Sequence, residues 1–219
     1  PFFTAADRSG SNIHYGVREH AMAAIANGLA AHGGVLPFVS TFLVFADYMK
    51  PAMRLAALMR LPVTYVLTHD SLGVGEDGPT HQPIEHLAMI RALPNFVEFR
   101  PADYNETLVG WQLALSSTRT PFALLLSRQN LKQFDETGAG ARRGAYILTD
   151  SGKAVPDIIL IGSGSEVELV YEAGQALKTM GIDARVVSMP SQSLFVRCFI
   201  CSSAALITSR SNFPPDRAW

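Results

Sequence analysis

Short runs of consecutive apolar residues, rich in branched side chains, recur along this chain. Strands buried on both faces of a parallel sheet show this pattern, whereas half-buried strands alternate apolar and polar residues. The predicted strands span residues 35–40, 63–69, 96–100, 122–127, 158–162 and 184–188.

Segments with helical periodicity lie between these runs. Residues 19–32 form an amphipathic pattern that ends at Gly33 and Gly34, as helices often do. Strands that alternate with helices predict an α/β fold with a mainly parallel sheet flanked by helices. Two further helices are predicted to begin at capping-box pairs, which are Asp103 with Glu106 and Ser165 with Glu168.

A stretch with several glycines and little periodicity, residues 129–153, divides the chain. We predict a first domain over residues 1–130, a linker over 131–155 and a second α/β domain over 156–219. The second part offers too few predicted strands for an independent sheet domain, so we expect it to be truncated. From Phe195 onward no period is evident, and Pro214 and Pro215 disfavour a helix or a strand.

Composition excludes several classes of protein. The chain has 219 residues, 48% of them hydrophobic, and a net charge of −1, which gives no reason to expect nucleic acid or an anionic membrane as a partner. No apolar run reaches the roughly 20 residues that cross a bilayer, and no secretory leader is expected. Cys198 and Cys201 have C-x-x-C spacing but no second ligand pair, so we expect neither zinc nor a disulfide framework.

The first two motifs flank the first predicted strand. NIHYGVREH, residues 12–20, places Glu19 in the first turn of the amphipathic helix, where the helix dipole alone would favour an acid. STFLVFADYMK, residues 40–50, spaces Phe42, Phe45 and Tyr48 so that a helix would put them on one face. Such a stripe is usually core, but this one follows a buried strand, where an aromatic ligand could stack.

The third motif, THDSLGVGEDGPTHQP, follows another buried strand. It carries His69, Asp70, Glu76, Asp77 and His81 within a loop that its glycines and proline make irregular. A loop this polar can simply be solvated. At the carboxyl edge of a parallel sheet, however, this set of side chains suits a site that binds a polyhydroxylated ligand and moves protons.

Two shorter motifs complete the set. SRQNL puts Arg128 just past a buried strand, where its planar fork suits a phosphate or a carboxylate, although a lone arginine is usually a surface residue. GSGSE, residues 162–166, lies between a strand and a helix but lacks the third glycine of the dinucleotide fingerprint.

Taken in this order, the first four motifs closely resemble the middle region of transketolases of the bacterial, plant and yeast type. The resemblance runs from about residue 12 to residue 190, and GVRE together with GEDGPTHQP is its most specific part. It implies the thiamine-diphosphate-binding (pyrimidine-domain) fold, followed by the beginning of the C-terminal domain. It also implies transfer of a two-carbon ketol unit from a ketose phosphate to an aldose phosphate, as in the pentose phosphate pathway and the Calvin cycle.

The resemblance assigns roles residue by residue. Glu19 resembles the glutamate that hydrogen-bonds the pyrimidine nitrogen of the cofactor and favours its imino tautomer. Phe45 resembles the ring that stacks on the pyrimidine. Phe42 and Tyr48 complete that pocket. The other residues resemble those that bind the sugar phosphate. His69 and Asp77 resemble residues that contact the donor hydroxyls, and His81 resembles a histidine that assists proton transfer near the reacting carbon. Arg128 resembles the residue that binds the phosphate.

The resemblance also implies parts that this chain does not carry. Magnesium or calcium would be held by a GDG-type motif on a preceding diphosphate-binding domain, so no metal ligand is expected on this chain. The cofactor would lie between two subunits, which implies a homodimer in the full-length protein. A cytoplasmic or, in a plant, plastid location is expected. The tail from about residue 195 does not match the family.

Two alternatives remain open. The chain could be a catalytically incompetent piece that binds a partner chain. It could also belong to another thiamine-diphosphate enzyme, such as a deoxyxylulose-phosphate synthase or the β-chain of a 2-oxo-acid dehydrogenase, in which we would not expect GEDGPTHQP.

Overall fold

A computed structural model describes the backbone of residues 1–208 and the side chains of residues 1–200. These residues divide into two units. The first unit consists of residues 1–96 and 114–129, and the second of residues 97–113 and 130 onward.

The first unit contains a parallel sheet with the order β1–β2–β4, in which β1 is Phe38–Phe42, β2 is Thr64–Thr68 and β4 is Phe122–Leu126. Its helices are α1 (Glu19–His32), α2 (Ala46–Met59) and α3 (His86–Arg91). Helix α1 packs against both α2 and β1. The parallel pairing and flanking helices confirm the predicted α/β fold.

The core of the first unit lies between α1, α2 and the sheet. Its largest fully buried side chains include Tyr65, Met49 and Met53, and alanines of both helices fill the remaining space. Asn27 of α1 donates from Nδ2 to the carbonyl of Ala52 at 2.8 Å and accepts from the Tyr65 hydroxyl at 3.3 Å. Since Asn27 is itself buried, these bonds satisfy its amide while they join α1 to α2 and β2.

The second unit contains strand β3 (Val97–Phe99) and a mixed sheet of three further strands. This sheet has the order β5–β7–β6, in which β7 (Ala184–Ser188) is antiparallel to β5 (Tyr146–Thr149) and parallel to β6 (Ile158–Gly162). The helices are α4 (Tyr104–Ser116), of which the first part belongs to this unit, α5 (Glu166–Thr179) and α6 (Gln192–Thr208). The buried apolar cluster comprises Ala102, Phe134, Leu148, Val167 and Val186.

A buried carboxyl group of α4 organises polar groups in the second unit. Glu106 accepts hydrogen bonds from the Ser188 hydroxyl at 2.6 Å, the Ala102 N–H at 2.7 Å and the Tyr146 hydroxyl at 2.8 Å. Burial raises the pKa of the Glu106 carboxyl group, although these three hydrogen bonds act in the opposite direction. The group therefore joins α4 to both β5 and β7.

The positions of the predicted strands are largely confirmed, and two of them, Ile158–Gly162 and Ala184–Ser188, have the predicted bounds. The predicted burial on both faces is wrong for β1 and β6, in each of which only one residue is buried. The first strand begins three residues later than predicted, at Phe38, because Pro37 has no N–H for the ladder. It continues through Thr41 to Phe42, which replaces the beginning of the helix expected over residues 40–50.

Two predictions for the second part of the chain need correction. The stretch expected to be a linker contains β5, which hydrogen-bonds along β7. The stretch without a clear period contains α6, whose start is fixed by Ser191 and Glu98. The Ser191 hydroxyl accepts from the Leu194 N–H at 3.2 Å, and the buried Glu98 carboxylate accepts from the Gln192 N–H at 2.9 Å.

The two predicted capping boxes have different outcomes. Asp103 accepts the N–H of Glu106 at 2.9 Å and so caps α4 as predicted. The prediction for α5 is wrong, because Ser165 makes no capping bond and its hydroxyl instead contacts Glu166 at 2.9 Å.

Within residues 1–208, the structure contains no helix with the length and apolar character that a bilayer span requires. The predicted irregular segment around Pro214 and Pro215 lies outside the described residues.

We predict that Glu106→Gln changes how stability depends on pH. A carboxyl group with a raised pKa holds its proton in the folded state at pH values where the unfolded chain has lost it. The contribution of Glu106 to the free energy of unfolding therefore falls as pH rises above 4.5, the ordinary pKa of a glutamate. Urea unfolding between pH 5 and pH 8 should show the wild type losing stability relative to the variant as pH rises. The exposed Glu172→Gln is the control, and a constant difference between wild type and Glu106→Gln would contradict the prediction.

Candidate functional site

Three aromatic rings follow one another where β1 leads into α2. Phe42 ends β1, Phe45 ends a 3-10 turn, and Tyr48 lies in the first turn of α2. The ring centroids of Phe42 and Phe45 are 6.1 Å apart with 15° between their planes, and those of Phe45 and Tyr48 are also 6.1 Å apart. Leu43 and Met49 point into the core instead, at 1% and 0% exposure.

This arrangement decides between the two interpretations of the aromatic stripe. Phe42 and Phe45 are only half-buried, and Tyr48 is 62% exposed, so the stripe is not part of the core. The rings instead offer flat apolar surface at the edge of the sheet, which suits an aromatic ligand.

His69 directly follows β2 and stacks on the first ring. Its ring centroid lies 3.6 Å from that of Phe42, with 21° between the planes. Its φ angle is 58°, a left-handed value that is costly for a residue with a Cβ. The Nδ1 atom lies 3.0 Å from the Thr68 hydroxyl, which fixes the orientation of the imidazole.

His81 approaches the same rings edge-on from the loop that follows β2. Its centroid is 5.3 Å from that of Phe45 and 6.2 Å from that of Phe42, with interplanar angles of 80° and 69°. The Nδ1 atom lies 2.9 Å from the Thr80 hydroxyl. Asp77 is exposed in the preceding 3-10 turn of this loop.

The structure therefore brings together five of the predicted site residues in one ring cluster. We call this set the aromatic–histidine cluster, and its members are Phe42, Phe45, Tyr48, His69 and His81.

Arg128 lies beside the same loop, just beyond the end of β4. A Cβ atom built on Gly75 would be 3.3 Å from the Cζ atom of Arg128, so the guanidinium packs against the backbone of that glycine. Gly75 also has a φ angle of 82°, which only glycine adopts readily. The segment after β4 and the loop after β2 are therefore in contact at Gly75.

Glu19 is the first residue of α1 and is half-buried. Its place in the unit is set by the packing of α1 against α2, the helix that carries Tyr48. His14 and His20, which the sequence left as ordinary surface or packing residues, are both exposed.

Two residues that anchor the loop were missed in the sequence. Val74 is fully buried, and its N–H donates to the carbonyl of Leu72 at 2.9 Å. The Gln82 amide donates to the same carbonyl at 3.1 Å. The apolar Val74 inside a polar loop was the signal that could have identified this anchor.

The GSGSE turn of the second unit has a structural role. The Arg100 guanidinium donates to the carbonyl of Ser163 at 2.7 Å and forms an ion pair with Glu166. A Cβ atom on Gly164 would be 2.8 Å from the Arg100 side chain, so the glycine makes room for the arginine. The turn therefore holds a side chain of its own unit.

The C-x-x-C pair is only half described by the structure. Cys198 is exposed in α6, and the side chain of Cys201 lies outside the described residues.

These observations define an α/β domain with a candidate ligand site at one edge of its parallel sheet. Phe42, His69 and Arg128 stand at or beyond the carboxyl ends of three parallel strands, which is where open parallel sheets bind their ligands.

Comparisons with known proteins identify the family. Residues 2–133 match the model of the transketolase pyrimidine-binding domain, and residues 144–207 match that of the transketolase-like C-terminal domain. A transketolase of Bacillus subtilis is 56% identical over 197 residues, which cover 88% of this chain and 30% of that protein. The chain belongs to the transketolase pyrimidine-binding domain family, and it spans about 30% of the length of this relative.

Solved structures agree with this assignment. The crystal structure of a Pichia stipitis transketolase in complex with sedoheptulose-7-phosphate has a TM-score of 0.84 and 49% identity, covering 89% of this chain and 29% of that one. A split-gene transketolase in the form of an inactive beta4 tetramer has a TM-score of 0.68 and 28% identity, covering 89% of this chain and 62% of that one.

We predict that Gly75→Ala lowers the free energy of unfolding by about 1–2 kcal/mol, because a Cβ there is strained by the left-handed backbone and crowds Arg128. Urea unfolding measures the change. Gly28→Ala is the matched control: Gly28 lies inside α1 with open space around its Cβ position, so alanine should stabilise the chain by roughly 0.5–1 kcal/mol. Equal effects at the two positions would contradict the prediction.

Proposed function

We propose that this chain supplies the pyrimidine half of a transketolase active site, in which a two-carbon ketol unit passes from a ketose phosphate to an aldose phosphate. The observation that carries the proposal is the aromatic–histidine cluster at the carboxyl edge of the sheet, in a chain whose first part matches the pyrimidine-binding domain.

The residues present fit the aminopyrimidine ring of thiamine diphosphate. Phe42 and Phe45 are half-buried with nearly parallel rings, one face of Phe42 being covered by His69, and Tyr48 extends the series toward solvent. Phe45 would stack on the heterocycle, and Phe42 and Tyr48 would complete the pocket. Glu19 would hold a proton between its carboxyl group and a ring nitrogen, which selects the tautomer. When bound, the cofactor supplies the electron sink for carbon–carbon bond cleavage.

The remaining residues suit a sugar phosphate. His69 and Asp77 would bind donor hydroxyl groups, since an imidazole and a carboxylate can each accept a hydrogen bond. His81 would move a proton at the reacting carbon, and the contact of its Nδ1 atom with the Thr80 hydroxyl would orient the imidazole for that role. Arg128 would bind the phosphate through its planar fork.

The other half of the site would come from a second polypeptide or domain. This includes the diphosphate-binding domain and the ligands for magnesium or calcium. We propose that a dimer, in the cytoplasm or in a plastid, completes the site. The split-gene transketolase supports an assembly from separate chains, since its gene is split. The carbohydrate reaction would serve the pentose phosphate pathway or the Calvin cycle.

A second candidate function is binding of a partner chain without catalysis. The same split-gene relative favours it, because its beta4 tetramer is inactive. An assay of ketol transfer distinguishes the two functions, since a folded complex that transfers no ketol unit would support this second candidate.

We predict that Glu19→Gln lowers ketol transfer by roughly 100- to 10,000-fold, the range typical of a lost acid–base contact. The chain would be mixed with a transketolase diphosphate-binding polypeptide, thiamine diphosphate and magnesium, and transfer from a ketose phosphate would be followed. The control is His20→Gln, which changes an exposed neighbour on the same helix. Full activity in Glu19→Gln would refute the role of Glu19.

We predict that Arg128→Gln raises the KM for a phosphorylated acceptor by roughly 10- to 150-fold, since a hydrogen bond to a charged group contributes about 1.5–3 kcal/mol. The KM for an acceptor aldehyde without a phosphate should stay unchanged in the same assay. The exposed Arg119→Gln serves as the control for the loss of one positive charge. An equal rise in KM for both acceptors would show that Arg128 does not bind the phosphate.

A further inference from the structure

A histidine and two acids meet between α2 and α3, outside the aromatic–histidine cluster. His86 is the first residue of α3, Glu85 precedes it, and Asp47 is in the first turn of α2. The Nε2 atom of His86 lies 3.2 Å from Oδ2 of Asp47, and the Nδ1 atom lies 4.0 Å from Oε2 of Glu85. One donor atom from each residue lies within 4.8 Å of the other two.

The imidazole in this cluster is buried, whereas the acids are accessible. The side chain of His86 is 4% exposed, and those of Asp47 and Glu85 are 52% and 72% exposed. Among the side chains of residues 1–200, neither ring nitrogen of His86 has a partner that meets hydrogen-bond geometry. A buried polar group without a hydrogen bond is costly, so a group that binds one of these nitrogens would stabilise the fold.

We propose that His86, Asp47 and Glu85 bind a divalent transition-metal ion, with zinc as the best match. Imidazole nitrogen and carboxylate oxygen are both ligands that zinc takes in proteins, and water can fill a fourth position. Donor atoms on tetrahedral zinc lie about 3.4 Å apart for bonds of about 2.0–2.1 Å, close to the observed separation of the His86 and Asp47 donors. The exposed Glu85 side chain has room to close on the ion.

The ion would tie together two segments that border the candidate site. Asp47 immediately precedes Tyr48, and Glu85 lies a few residues after His81 in the sequence. Joining these segments would limit how far the loop can move from the aromatic rings. This site is separate from the magnesium or calcium expected on another domain, and it does not depend on the proposed function. It also revises the expectation that this chain carries no metal ligand.

The test is a titration of zinc chloride into the purified full chain by calorimetry at pH 7.5, with Asp47→Asn, Glu85→Gln and His86→Gln in parallel. We expect one zinc per chain and an affinity at least tenfold weaker in Asp47→Asn and in His86→Gln. Glu85→Gln should weaken binding as well. The control is His32→Gln, which removes an exposed histidine at the end of α1 and should leave binding unchanged.

Circular dichroism would establish that each variant is folded, and the exposed Asp47→Asn keeps the proposal testable if the buried His86→Gln does not fold. Zinc should also raise the melting temperature of the wild type and not that of Asp47→Asn. Unchanged affinity in folded Asp47→Asn, or the absence of stoichiometric binding to the wild type, would overturn the proposal. The cluster would then be a metal-free contact between an imidazole and two carboxylates.

Discussion

Parallel hydrogen bonding between β1, β2 and β4 brings three strand ends to one edge of the sheet, and the candidate site is assembled from residues at or just beyond each end. Phe42, His69 and Arg128 are far apart in the sequence, yet the registers of these strands align them along that edge. The pairing is possible because β2 and β4 are buried and apolar on both faces, so helices can cover them on either side. The candidate site therefore depends on the buried core around these strands, although the site residues do not belong to that core.

Local backbone conformations orient the side chains of the candidate site. His69 takes a left-handed φ angle immediately after β2, where the chain must turn its imidazole onto the ring of Phe42. Gly75 takes a similar angle so that Arg128 can lie against the loop. Buried Val74 holds the middle of that loop to the unit. A loop with this much polar character stays ordered because a few of its residues are anchored.

Buried carboxyl groups play a different part in the second unit. Glu106 joins α4 to β5 and β7, Glu98 receives the first N–H groups of α6, and Asp103 accepts from the backbone of Phe134 as well as capping α4. Each acid is buried but accepts several hydrogen bonds, which offsets much of the cost of removing it from water. None of them was singled out in the sequence as a partner of distant residues.

Local patterns in the amino-acid sequence were enough to predict the strands, the glycine end of α1 and the motifs at the strand ends, because strands and helix termini have local signatures. The strands over residues 158–162 and 184–188 could be delimited because successive branched apolar residues favour strands, although β6 proves to be mostly exposed within the chain. The candidate site could be predicted residue by residue through its motifs, although the sequence could not show that the rings of Phe45 and His81 would touch.

Features that depend on partners distant in the sequence could not be predicted from local patterns. Strand β5 has residues that favour strands but lies in a stretch rich in glycine, and its pairing with β7 about 40 residues later shows that it belongs to the sheet. The GSGSE turn resembles a nucleotide-binding loop in sequence, but in the structure the Arg100 side chain occupies it. His86 meets Asp47 across a long stretch of chain, and no local spacing encodes that contact. Periodicity records which face of an element is buried, but it does not record which element covers that face.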